Sequence, residues 1–164
     1  MLLLVTAHPT CAARGGLLMP TLKPGFAFSL VCDIGFAVWL MTHYVKRIGH
    51  LVWIAEPAFD EEPSLEDVAK IESWRWPVFF PLGAAVRRKL VTEIGLIPVP
   101  FSLQEFPTLR SGSRRTGWTA FTEIDGERRR LGPTSNPSLP IYKIVSDTAL
   151  KEMIVSGWSP EQEW

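Results

Sequence analysis

Few residues in this chain have the type and spacing to do chemistry. His8, His43 and His50 stand apart, with no HExxH or comparable ligand spacing. An imidazole needs partners at defined geometry before it can hold a metal or relay a proton, so these three read as structural histidines. No GxSxG, Walker loop or GxGxxG occurs, which leaves nucleophile-based hydrolysis and nucleotide binding without a local motif. Asp60-Glu61-Glu62 sets carboxylates side by side, yet neighbours on an exposed loop lack the difference in burial that separates a catalytic acid from a base. Cys11 and Cys32 are too few for a disulfide framework and have no CxxC spacing. The expectation is a protein that is not an enzyme, with no catalytic residue, metal or cofactor.

What remains is charge arranged for binding. Residues 56–72 carry Glu56, Asp60, Glu61, Glu62, Glu66, Asp67 and Glu72 against the single cation Lys70, an acidic surface that a basic partner would meet. Arg87-Arg88-Lys89, Arg114-Arg115 and Arg128-Arg129-Arg130 are the opposite kind of feature. With Trp118 and Phe121 nearby, the set Arg114, Arg115, Trp118, Arg128 and Arg130 would make a platform of cations and stacking rings for nucleic acid. Lys+Arg and Asp+Glu are equal at 17 each, so no overall field favours nucleic acid or anionic lipid. Successive arginines on a strand also point to alternating faces.

These charges must be positioned by an ordinary globular fold. The 164 residues, 46% hydrophobic and 21% charged, suit one domain and argue against disorder. The longest apolar run, residues 34–41, is far short of the ~20 residues a spanning helix requires, and so few cysteines fit the reducing cytoplasm. Residues 1–18 lack the basic start and long apolar stretch of a signal peptide. They read as a loose extension, before or beyond a start at Met19, to a single α+β domain over residues 19–164.

The centre of that domain is residues 76–107, where Pro77, Pro81, Pro98, Pro100 and Pro107 confine two apolar runs to short pieces. Val78-Phe79-Phe80 reads as a buried strand and residues 83–89 as one helical turn. Upstream, alternation from Phe26 to Leu30 and turns at Asp33-Ile34-Gly35 and Lys46-Arg47-Ile48-Gly49 give a three-stranded meander. Ser64 followed by Asp67 announces a short helix with Leu65, Val68 and Ile71 as its stripe. Ser111 to Arg115 reads as a polar loop. Asp125-Gly126 suits a type I′ hairpin turn, which sets Glu123 opposite Arg128 as an ion pair and Phe121 opposite Arg130 as a cation–π pair. Asp147 is expected to cap a closing helix with Leu150, Met153 and Ile154 on one face, where Gly157 turns Trp158 back over Met153. The fold expected is a strongly bent antiparallel β-sheet or partly open barrel, with two short helices including the C-terminal one. Its strands lie near 26–32, 36–45, 50–55, 77–82, 90–97, 117–124, 127–131 and 141–145.

Taken in order, Lys23-Pro24-Gly25 before the meander, Ile94-Gly95-Leu96-Ile97-Pro98-Val99-Pro100, Phe106-Pro107-Thr108-Leu109-Arg110 and a Trp118 strand closing on Asp125-Gly126 resemble the immunity protein 26 family. These are bacterial proteins that neutralise a cognate polymorphic toxin by binding it, and the likeness covers most of the chain after Met19. The resemblance implies a stoichiometric binding protein in the bacterial cytoplasm, without catalysis, cofactor or membrane, whose partner is a toxin. It gives Glu56, Asp60, Glu61, Glu62, Glu66 and Asp67 a role as carboxylates presented to a basic cleft, where complementarity speeds association.

Overall fold

A computed structural model describes residues 22–164; the expected extension over residues 1–18, with His8 and Cys11, lies outside them. The meander forms as the alternation predicts, from β1 (Phe26–Cys32), β2 (Gly35–Val45) and β3 (Gly49–Ala55). After α1 (Leu65–Ala69), β4 (Trp74–Phe80) pairs with β3; after α2 (Leu82–Arg87), β5 (Thr92–Leu96) pairs with β1. The result is a five-stranded antiparallel sheet in the order β4-β3-β2-β1-β5. A second antiparallel sheet follows, β6 (Leu109–Ser113), β7 (Gly117–Ile124) and β8 (Glu127–Thr134), before α3 (Asp147–Val155) closes the chain.

Residues 140–145 join the two sheets. On one side the Phe79 N–H donates to the Lys143 carbonyl and the Val145 N–H to the Phe79 carbonyl, each at 3.0 Å. On the other, the Arg110 N–H donates to Pro140 at 2.8 Å and the Tyr142 N–H to the Arg110 carbonyl at 2.7 Å. The stretch expected to be a last strand is therefore a splint held by two isolated parallel bridges, Phe79 to Ile144 and Arg110 to Ile141. The architecture is α+β, with antiparallel sheets that do not close into a barrel.

The five-stranded sheet is covered on both faces, which explains why β2 reads as a continuous apolar run rather than a clean alternation. One face packs Phe28, Trp39, Val52 and Phe80 under α2 and α3 through Leu82, Leu150 and Ile154. The other packs Ala27, Val38, Leu40 and Ala55 under Val68 of α1 and Ile97. A smaller cluster of Leu51, Phe79 and Leu109, with Phe106 and Tyr142 against it, fills the junction of the two sheets.

Local signals place the helix ends. Ser64 and Asp67 form the predicted capping box, and Gly157 takes a left-handed φ of 65° while the Trp158 N–H donates to the Met153 carbonyl at 2.9 Å, the Schellman arrangement. Four expectations need correction. The α-helices number three among the described residues, because the turn expected over residues 83–89 forms as α2, Leu82–Arg87, without any side-chain cap. The cap of α3 is Ser146, whose hydroxyl accepts the Ala149 N–H at 3.2 Å, one residue before the expected Asp147. The strand expected from residue 90 begins at Thr92, since Lys89 at φ 55° turns the chain out of α2 first. The expected polar loop at residues 111–115 is in part β6, fixed by pairing Ser111 with Thr119 and Gly112 with Trp118 rather than by any apolar pattern of its own.

Candidate functional site

The acidic segment leaves the sheet at Ala55 and is fastened before its exposed carboxylates and again after them. The first fastening is a two-way backbone bridge, with the Phe36 N–H donating to the Phe59 carbonyl at 2.6 Å and the Phe59 N–H to Phe36 at 2.9 Å. Gly35, at φ 110°, permits this approach, because a Cβ there would collide with the Phe59 carbonyl oxygen. The second is buried Pro63 and the capping box. There the Asp67 carboxylate accepts the Ser64 N–H at 3.0 Å and the Ser64 hydroxyl at 2.6 Å. Those Ser64 bonds, side chain first, hold the Asp67 carboxyl below its usual range.

The six carboxylates expected to meet a partner divide into two groups. Asp67 is committed to its cap, Glu66 pairs with Lys70 at 2.8 Å one turn along α1, and Glu56 pairs with Arg75 at 2.6 Å across β4. Asp60, Glu61 and Glu62 are exposed between the two fastenings, with no cation within 4.0 Å among the described residues. The acidic set thus runs from the end of β3 into α1, and its middle three members have no cation partner among the described residues.

The basic set is assembled differently from expectation. Arg114 and Arg115 sit exposed in the turn between β6 and β7. Trp118 is half-buried, its ring 3.9 Å from the Arg110 guanidinium carbon and stacked on Trp164 at 5.9 Å and 15°, so it is occupied within the molecule. Register does set Glu123 opposite Arg128 and Phe121 opposite Arg130, but the partners are diagonal. The Arg128 guanidinium lies 3.7 Å over Phe121 and 4.4 Å over Tyr142, and no Glu123–Arg128 ion pair forms among the described residues. The register shift between Ala120 and Phe121 increases local twist and brings the diagonal neighbour over the ring. Burial raises the Glu123 carboxyl. Arg130 is exposed.

Sequence reasoning missed Arg110, which is 0% exposed. Its Nε donates to the Leu139 carbonyl at 2.9 Å and its Nη2 to Pro160 at 2.5 Å, while Nη1 is buried with no acceptor among the described residues. Burial lowers its pKa, and Glu163 and Glu161 act against that shift. No local signal marks this arginine, since the groups that satisfy it lie 29 and 50 residues away.

Of the two described histidines, His43 bridges the Thr42 hydroxyl at 2.9 Å and the Gln104 carbonyl at 3.1 Å. His50 lies against Tyr44, with ring centroids 5.1 Å apart, and its Nδ1 is buried without a partner among the described residues. Burial depresses both imidazoles. Among the described residues, no group of three or more His, Cys, Asp or Glu is placed to hold a metal ion, and no helix is long and apolar enough to cross a membrane. No family model, curated protein or solved structure matches the chain.

Proposed function

We propose that this chain is a stoichiometric, immunity-type binding protein of the bacterial cytoplasm that neutralises a cognate toxin by direct contact, using the loop around Asp60, Glu61 and Glu62. The observation that carries this reading is the free acidic triad held between the Phe36–Phe59 bridge and the capping box. Carboxylates on a fastened loop lose little freedom on docking, and an acidic patch accelerates the approach of a basic partner. The resemblance of its short motifs to those of immunity proteins is in keeping with the same role. The nucleic-acid reading has Arg114 and Arg115 in its favour, but Trp118, its stacking ring, is already covered by Trp164 and Arg110.

The test begins with capture of the partner from the native cell and its identification, followed by titration of the partner's toxic activity with purified chain. The reading requires full inhibition at one-to-one stoichiometry. Changing Asp60, Glu61 and Glu62 to lysine should slow association at low salt. Raising the salt should erase much of that difference, because exposed charges are screened beyond ~8 Å at physiological ionic strength. Stability should move by no more than ~0.5 kcal/mol. Unchanged association, with a new dependence on Arg114 and Arg115, would transfer the role to nucleic acid.

A further inference from the structure

Where the end of α3 meets the start of the acidic segment, the molecule has a cleft that neither charge set accounts for. Trp158, turned back by Gly157, packs edge-on against Trp76 with ring centroids 4.9 Å apart, and its carbonyl accepts the Trp76 indole N–H at 3.0 Å. Beside this pair is a cavity of about 400 Å³ whose lining includes Glu56, Arg75, Ser138 and Glu161. A second cavity, about 240 Å³ and lined by Ala37, Ile54, Ala58 and Ile154, shares Arg75, Trp76 and Gly157 with the first. The two adjoin at these three residues, the first lined by charged and hydroxyl groups at its mouth and the second by aliphatic side chains together with Arg75.

The charges of the mouth, Glu56, Arg75 and Glu161, are not equally committed. Arg75 is held by Glu56 at 2.6 Å, and outside the mouth Lys143 is held by Glu163 at 2.7 Å. Glu161 has no cation within 4.0 Å among the described residues. Its carboxyl is held below the usual range, first by its own backbone N–H and then by the Ser159 and Ser138 hydroxyls, with a smaller contribution from Arg110. The indoles offer a second attraction to a cation, and Lys143 already sits 5.5 Å from the Trp158 ring. Glu56 also begins the acidic segment, so the cleft adjoins the loop that would steer a basic protein.

We infer that this cleft receives a basic side chain of an extended partner segment, with the guanidinium or ammonium between Glu161 and the Trp76–Trp158 pair and an aliphatic side chain on the floor formed by Ala37, Ile54, Ala58 and Ile154. In an extended chain, side chains two residues apart share a face, so the segment recognised has an aliphatic residue two positions from an arginine or lysine. This deepens the protein-binding reading and rests on it: the acidic loop attracts the partner and the cleft holds it.

N-acetyl-Leu-Gly-Arg-amide serves as the probe, followed through the indole N–H resonances of Trp76 and Trp158. Saturable shifts are expected, with affinity lower by about three- to fivefold for the Leu-Gly-Gln peptide, the scale of a partly exposed cation contact, and lower again for Leu-Gly-Glu. Glu161→Gln should reduce the preference for arginine over glutamine, and Ala58→Phe should block the floor. Because Glu161 is exposed, its variant keeps the test decisive even if Ala58→Phe fails to fold. Equal binding of the arginine and glutamate peptides, or an arginine preference indifferent to Glu161→Gln, overturns the inference. Peptide binding does not depend on residues 60–62, so a bound peptide alongside a loop reversal without effect on association supports the cleft while the steering role of the loop falls.

Discussion

The two sheets hold together by different means. In the five-stranded sheet β2 is buried without interruption from Ala37 to Thr42, and both faces are closed by helices and loops. In the three-stranded sheet the buried residues are Leu109, Arg110 and Ala120, while residues 127–131 of β8 are all exposed. The first is stabilised by apolar area, at roughly 25 cal/mol per Å² removed from water. The second has too little such area, and rings and guanidiniums take over: Arg110 with Trp118 and Trp164 on one face, Arg128 with Phe121 and Tyr142 on the other. A sheet short of apolar cover can thus be closed by cations whose stems and planar heads behave as packing groups.

The sharpest way to probe this contrast is Trp39→Ala. Trp39 is 0% exposed, with its ring 4.7 Å from Phe80, and its removal should cost about 3–5 kcal/mol by denaturant unfolding, loosening all five strands together. Arg110→Ala should cost about 2–4 kcal/mol, because the part-buried Leu139 and buried Pro160 carbonyls lose a charged donor. Its effect should be confined: amide exchange should quicken in β6, β7 and residues 160–164 while β1 to β3 keep their protection. Lysine should fail to restore it, since one ammonium cannot reproduce the planar fork. Equal loosening of β1 to β3 would show that the sheets do not differ as described.

Arg128→Ala should cost about 0.5–1 kcal/mol, the range of an exposed cation–π contact, and should move the tyrosine absorption of Tyr142. The pH dependence that comes from imidazoles belongs to the first sheet. His50 is depressed from 6.5 by burial, so the folded state favours the neutral ring and the unfolded state binds the proton more readily. The stability this represents is whole above pH 6.5 and is lost as pH falls from there toward the depressed value. His50→Gln should make that part of a stability–pH curve shallower, with the remaining slope due to His43, whereas Arg128→Ala should leave it unchanged.

The first sheet was more legible in the sequence than the second for the same reason that it is better buried. Phe28, Leu30, Trp39 and Met41 occur at the period their strands impose, and Ser64, Asp67 and Gly157 announce helix ends by local chemistry. β6 has the sequence Leu-Arg-Ser-Gly-Ser, which fits no strand pattern and becomes one only by lying beside β7. The acidic segment was visible as composition. Which carboxylates remain free was not, because Glu56 is taken up by an arginine 19 residues away. Arg110 resembled any surface arginine until the chain folded over it.

The splint at residues 140–145 has a consequence for synthesis. β4, with its Trp76, Val78, Phe79 and Phe80, is made long before the segment that covers its outer edge through Phe79. At ~5–20 residues per second, a nascent chain on the ribosome holds an open, aromatic strand edge for several seconds, an invitation to pair with a neighbouring chain. Release of residue 145 removes it, so crowding of ribosomes on one message is the circumstance in which this protein is most exposed to aggregation.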